Sequence, residues 1–140
     1  MTMETDTLNT LVSAAIWRAE QLEAHGINAG QAWVEVSSLE GALAKALPIS
    51  EPEGRIARRG AVRAALKARD YGRADMLAEG YMAEEVAPES LKASLLEMLE
   101  EDAEGVAIGY QYAAKRHTLR EARHLARRFN KTGPFGLAAA

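Results

Sequence analysis

The chain has no cysteine, which excludes disulfides and thiol chemistry. It has no apolar run approaching the roughly 18 residues that a membrane span requires, so no transmembrane helix is expected. The opening residues, MTMETDTLNT, lack the positive start and apolar centre of a secretory signal. These absences fit a cytoplasmic protein. β-branched residues are sparse and no stretch alternates polar and apolar residues for long, which argues against a sheet. Only three histidines occur, at positions 25, 117 and 124, and none adjoins a nucleophile motif. Gly-x-Ser-x-Gly, a phosphate-cradling Gly-Lys-Ser/Thr loop and the dinucleotide fingerprint are all missing. The reading is therefore non-enzymatic, with no cofactor and no metal.

What is present points to helices. Alanine is abundant, and a chain of 140 residues is long enough for one domain that removes roughly two-thirds of its unfolded surface from water. The expectation is an all-α, single-domain bundle of five or six helices with a long C-terminal helix, spanning 1–132, followed by a tail over 133–140. A first helix is predicted from about Asp6 to Ala24, capped by Thr5 or Asp6 and stopped by Gly26. A second runs from about Gly30 to Leu47, with Trp33, Val36, Leu39, Leu43, Ala46 and Leu47 inward and Pro48 ending it. Ser37 and Ser38 weaken its middle.

Ser50-Glu51-Pro52-Glu53 reads as a capping box with proline in the first turn, opening a third helix to about Arg69. Ala57, Ala61, Ala64, Ala65 and Ala68 give it a small-residue face, while its cations spread widely around the rest. A turn at Asp70-Tyr71-Gly72 precedes a short helix from about Arg73 to Glu85, with Met76, Leu77, Tyr81 and Met82 apolar. Pro88 opens a fifth helix to about Asp102 that buries Leu91, Leu95, Met98 and Leu99.

Gly105 to Lys131 contains no helix breaker and predicts one helix of roughly 40 Å. On a helical wheel Leu119, Ala122, Leu125, Ala126 and Phe129 share one side. Arg116, Arg120, Arg123 and Arg127 line the opposite one, which makes the segment two-faced, and Arg128 follows Arg127 in the chain. Charge is segregated along the whole chain. Residues 1–54 hold eight acidic and two basic groups, 55–73 hold one and seven, 74–114 hold ten and one, and 115–140 hold one and seven.

Such segregation suits docking on a partner of opposite charge. The expected function is a protein-interaction or adaptor domain that sets a basic helix face against an anionic partner. That partner is an acidic protein surface or a second copy of the chain, with no role for a membrane. The candidate binding residues are Arg116, Arg120, Arg123, Arg127 and Arg128, together with Arg59, Arg63 and Lys67 of the third helix. The alternative is a nucleic-acid-binding protein that contacts phosphates through the same two Arg-rich helices.

Two further patterns carry less. Glu121-x-x-His124, with His117 nearby, has the spacing of carboxylate-bridged di-metal bundles, but no second Glu-x-x-His exists and arginines surround it. The segment LKARDYGRADMLAEGYM resembles the turn of a tetratricopeptide hairpin through Asp70-Tyr71 and Ala74. That resemblance covers one repeat at most. Arg58, Val62 and Ala78 stand where an aromatic, a glycine and a large apolar residue are expected, and no second copy follows at the family's spacing of about 34 residues.

Overall fold

The structure is a computed structural model, and it describes residues 3–102. Among the described residues the chain is all helical, with five helices and no strand: α1 (Met3–Ala24), α2 (Gly30–Ala46), α3 (Pro52–Lys67), α4 (Tyr71–Met82) and α5 (Glu89–Asp102). None of these is long and apolar enough to cross a membrane. The Gly105–Lys131 stretch, with its arginine row and its Glu-x-x-His spacing, lies outside the described residues. The chain divides between Leu95 and Leu96 into two units, with α1 to α4 in the first and α5 crossing the division.

In the first unit α3 is the element the others are built on. It packs against α2 on one side and α4 on another, while α1 packs against α2. The alanine face expected of α3 is real: Ala57, Ala61, Ala64 and Ala65 are all buried. Side chains this small let neighbouring helix backbones come close. Val62 and Leu66 are buried as well, so α3 is covered well beyond a single stripe. Trp33 and Val36 of α2 meet Ala15 and Ala19 of α1 and Ala64 of α3 in one cluster. Val12, Leu43, Ala44, Leu47 and Ala57 form a second.

Helix ends follow the sequence in part. Gly26 takes a positive φ of 69°, and the amides of Gly26 and Ile27 donate to the carbonyls of Glu23 and Leu22, closing α1 with a Schellman motif. The start of α1 differs from expectation: the helix begins at Met3, ahead of Thr5 and Asp6. The hydroxyls of Thr7 and Thr10 bond back to the carbonyls of Met3 and Asp6, four residues earlier. Threonines inside a helix satisfy themselves in this way, so they mark no boundary.

The capping box at Ser50 does not form. Glu51 is the N-cap and makes no side-chain cap bond, and Pro52 opens α3. Here the Arg55 guanidinium organises the turn, donating to the carbonyls of Ile49 and Ser50 at 3.1 and 2.8 Å. The serine at 37 does not break α2 either. Its hydroxyl is fully buried, donates to the Ala61 carbonyl at 2.9 Å and accepts from Arg73 Nε at 2.9 Å. A serine that would weaken an exposed helix is here a link between α2, α3 and α4.

Helix α4 begins at Tyr71 rather than Arg73, because the Asp70 carboxylate accepts from the Arg73 amide and caps it. Its inward residues are Ala74, Asp75 and Ala78, whereas Met76 is 59 % exposed. Small residues win the buried face because α4 lies close to α3. In α5, Leu91, Leu95 and Leu99 are buried at successive turns and Glu97 and Glu101 are exposed, as the spacing requires.

The end of α3 carries a testable defect. Its Schellman bonds run from Arg69 N to Leu66 O and from Asp70 N to Ala65 O, both 2.9 Å. The left-handed position, φ 61°, is held by Arg69, a residue with a Cβ where glycine is the unstrained choice. Arg69→Gly is expected to raise stability by about 0.5–1 kcal/mol, measured as a higher urea midpoint at unchanged slope. An unchanged or lower midpoint contradicts the strain.

Arg58 departs furthest from its sequence reading. Instead of joining the exposed cations of α3, it is 5 % exposed. Its Nε and one terminal nitrogen fork onto the Glu84 carboxylate at 2.8 and 2.9 Å, and the other terminal nitrogen donates to Leu47 O and Gly54 O at 3.0 and 2.8 Å. The Tyr81 ring lies beneath it, 5.6 Å from guanidinium carbon to centroid. One side chain thus ties the end of α2 and the first turn of α3 to the segment after α4. Gly54 makes this possible: a Cβ there would collide with the Pro48 carbonyl.

Candidate functional site

The candidate site is a cleft between α1, α2 and α3, and it begins with a row on α3. Residues four apart on a helix stand one above the other, which places Arg59, Arg63 and Lys67 on successive turns. Arg63 and Lys67 are exposed, and Arg59 is partly buried. Three of the eight expected binding residues therefore share one side of α3, and two of them, Arg63 and Lys67, line the cleft. The other five, Arg116, Arg120, Arg123, Arg127 and Arg128, lie outside the described residues.

Arg63 and Lys67 overhang a concavity of about 200 Å³ whose wall includes Ile16, Glu20, Trp33 and Glu40. A second concavity, about 560 Å³, adjoins it and shares Trp33 and Lys67, adding Glu23, Asn28 and Arg69. Trp33 is the partition between them. Its indole N–H donates to Glu23 Oε2 at 2.9 Å, and the Lys67 ammonium stands 4.9 Å from its ring centroid. A cation over an indole face is worth about 0.5–2 kcal/mol, which holds the flexible lysine at the rim. The mouth of the second concavity is set by the entry to α2, where Asn28 Oδ1 accepts from Gly30 N at 2.8 Å.

The floor of the smaller cleft is a carboxyl that the sequence reading did not single out. Glu40 is 8 % exposed and seated against Gly60 of α3, where a Cβ would strike its carboxylate. Burial pushes its pKa up from 4.5 to about 7, and the Arg63 guanidinium pulls in the other direction. Low-dielectric surroundings disfavour the charged carboxylate, and one partly solvated arginine does not offset this. Glu40 therefore exchanges its proton near neutrality. A signal for it was present: Glu40 falls in the register Val36, Glu40, Leu43, where the rest of α2 is apolar. It also faces the glycine that interrupts the alanine face of α3.

Behind this floor, Arg73 of α4 donates through Nε to Ser37 Oγ and passes beside Gly41. Tyr81 adds a half-buried phenol whose pKa is raised by burial, with Arg58 and Arg73 opposing the rise. Chemically, the cleft offers two rim cations, an indole edge, an aliphatic wall and a carboxyl able to accept or donate a proton. Among the described residues no cluster of His, Cys, Asp or Glu is arranged to hold a metal ion. No protein-family model matches the chain, and neither a curated protein nor a solved structure shows significant similarity to it.

Proposed function

We propose that the chain is a non-enzymatic protein-interaction module that sets the basic row of α3 against an acidic protein segment. The observation that carries this reading is the seating of Arg63 and Lys67, exposed one turn apart at the rim of a cleft with an indole wall. Two cations beside aromatic and aliphatic surface suit a peptide that carries acidic and apolar side chains together. Arg116, Arg120, Arg123 and Arg127 are proposed as a further set of cations for the same class of partner.

The nucleic-acid reading is less well supported at this site. Trp33 is 5 % exposed and presents no free face for base stacking.

The test is fluorescence anisotropy with a labelled oligo-glutamate peptide and with mixed-sequence RNA and DNA oligomers, from about 50 to 200 mM salt. Binding of the peptide, weakened by salt and reduced about tenfold or more in the triple variant Arg59→Ala, Arg63→Ala, Lys67→Ala, is expected. Binding of the oligonucleotides but not the peptide overturns the proposal in favour of nucleic acid.

A further inference from the structure

We propose that the cleft under Arg63 and Lys67 is the receptor for a single carboxylate side chain of the peptide partner, taken up together with a proton that Glu40 holds. This rests on the protein-interaction reading above and names the ligand group and its coupling.

The geometry comes first. Arg63 and Lys67 stand at the rim, Trp33 and Ile16 supply an apolar wall for an aliphatic stem, and Glu40 forms the floor. A glutamate side chain has that construction, a short aliphatic stem ending in an anion that accepts up to four hydrogen bonds. The volume of about 200 Å³ suits one side chain rather than a larger ligand.

The charges then fix what must happen to Glu40. Glu20 from α1 and Arg63 and Lys67 from α3 line the cleft with it, its charge reaches Tyr81 of α4, and Arg73 of α4 lies beside the neighbouring Gly41. Lys67 is already engaged with the indole, and Arg63 already offsets part of the Glu40 charge. Adding a ligand carboxylate beside an ionised Glu40 sets two anions against each other in a buried place, and one of them must be protonated. Protonated Glu40 turns from a repelling acceptor into an O–H donor aimed at the incoming carboxylate, leaving Arg63 free to pair with it. Binding therefore takes up a proton wherever free Glu40 is ionised, little at pH 6 and approaching one above pH 7, and no covalent bond is made or broken.

The linkage sign follows directly. Free Glu40 is protonated below pH 7 and ionised above it, so affinity is full at low pH and lost as pH rises through 7. Between pH 6 and 8 the protonated fraction of a group titrating near 7 falls about tenfold, and affinity is expected to fall by the same factor.

The experiment titrates oligo-glutamate into the protein at pH 6, 7 and 8, read by anisotropy and by Trp33 emission in a Trp17→Phe background. Trp17 is 62 % exposed on α1 and is the only other tryptophan. The expected result is an affinity about tenfold weaker at pH 8 than at pH 6, with Trp33 emission changing on binding. Glu40→Gln, which keeps the shape and the donor but cannot ionise, is expected to bind at every pH about as tightly as the parent does at pH 6.

A pH dependence that persists in Glu40→Gln overturns the inference. Peptide binding that is lost in Arg63→Ala yet flat with pH in the parent also overturns it, while leaving the protein-interaction reading intact. No peptide binding at pH 6 in low salt removes both.

Discussion

Replacing Arg58 by methionine is expected to destabilise the first unit by about 3–5 kcal/mol, the usual result of removing one partner from a buried ion pair. Methionine keeps most of the volume, so the loss does not come from a cavity. It comes from what remains behind. The carbonyls of Leu47 and Gly54 lose donors in a place where an unsatisfied polar group costs about 1–3 kcal/mol, and the Glu84 carboxylate loses both limbs of its fork. Glu84 itself is a third exposed, so water reaches its carboxylate and Glu84→Gln is expected to cost less than half as much. Arg58→Lys is expected to fall between, because an ammonium is a point charge without the planar fork. Urea denaturation of the three variants checks the order. Equal losses for Arg58→Met and Glu84→Gln contradict a clamp that joins three separate partners.

The second large effect is a stability that falls as pH rises through the range where most proteins are insensitive. Folded Glu40 titrates near 7 and its unfolded value is 4.5. Between these limits the folded state binds more protons than the unfolded one, so stability declines with pH. The contribution is complete below about pH 4.5, is lost progressively up to about pH 7 and is constant above that. Its size is on the order of 3 kcal/mol, from about 1.4 kcal/mol per unit. Other carboxylates titrate too, so the informative quantity is the difference from Glu40→Gln. The variant is expected to match the parent near pH 4 and to be more stable by on the order of 2–3 kcal/mol at pH 8. Parallel stability curves for the two proteins contradict a buried, proton-bearing Glu40. The same residue would then be excluded as the floor of a proton-linked cleft.

That an acidic group is buried at some cost, opposite a glycine that admits it, favours a role in the cleft over a role in stability. Apolar residues of similar volume hold helices together at least as well as buried charges do. Arg58 shows the contrast: each of its three side-chain nitrogens donates to a partner, and the glycine beside it admits a carbonyl rather than a titrating group.

Much of the helical layout is legible in the residues. Alanine spacing identifies the buried face of α3, Pro52 its first turn, Gly26 the end of α1, and the leucine series 91, 95 and 99 the inner side of α5. These signals are local, and the structure uses them locally. The misreadings share a different cause. Arg58 and Arg63 are both arginines on one helix, one buried and the other exposed. What separates them is Glu84, 26 residues away from Arg58, and a pairing at that separation has no signature in spacing. Ser37 was expected to weaken α2 because its partners, Ala61 and Arg73, belong to later helices. Arg69 ends α3 in a conformation its side chain does not favour, because the chain must turn at once into the Asp70 cap.

The site was half legible. Arg59, Arg63 and Lys67 were chosen for their charge and spacing, and the structure adds what charge does not reveal, namely the indole, the aliphatic wall and the buried acid. Trp33 and Glu40 were missed as site residues for opposite reasons. Trp33 was assigned wholly to the core, although one edge bounds both concavities. Glu40 stands three residues after Ser37, the spacing of a helix start, and that local pattern hides a register that is that of a core position.

The most direct measurement is an amide-resolved NMR titration of the intact chain with oligo-glutamate at pH 6 and about 50 mM salt. The expected result is a set of saturable shifts centred on the Trp33 indole N–H and the amides of Gly60, Arg63 and Lys67, absent in Arg63→Ala, Lys67→Ala. Shifts confined to other parts of the chain, or none at all, contradict the assignment of this cleft as the docking site.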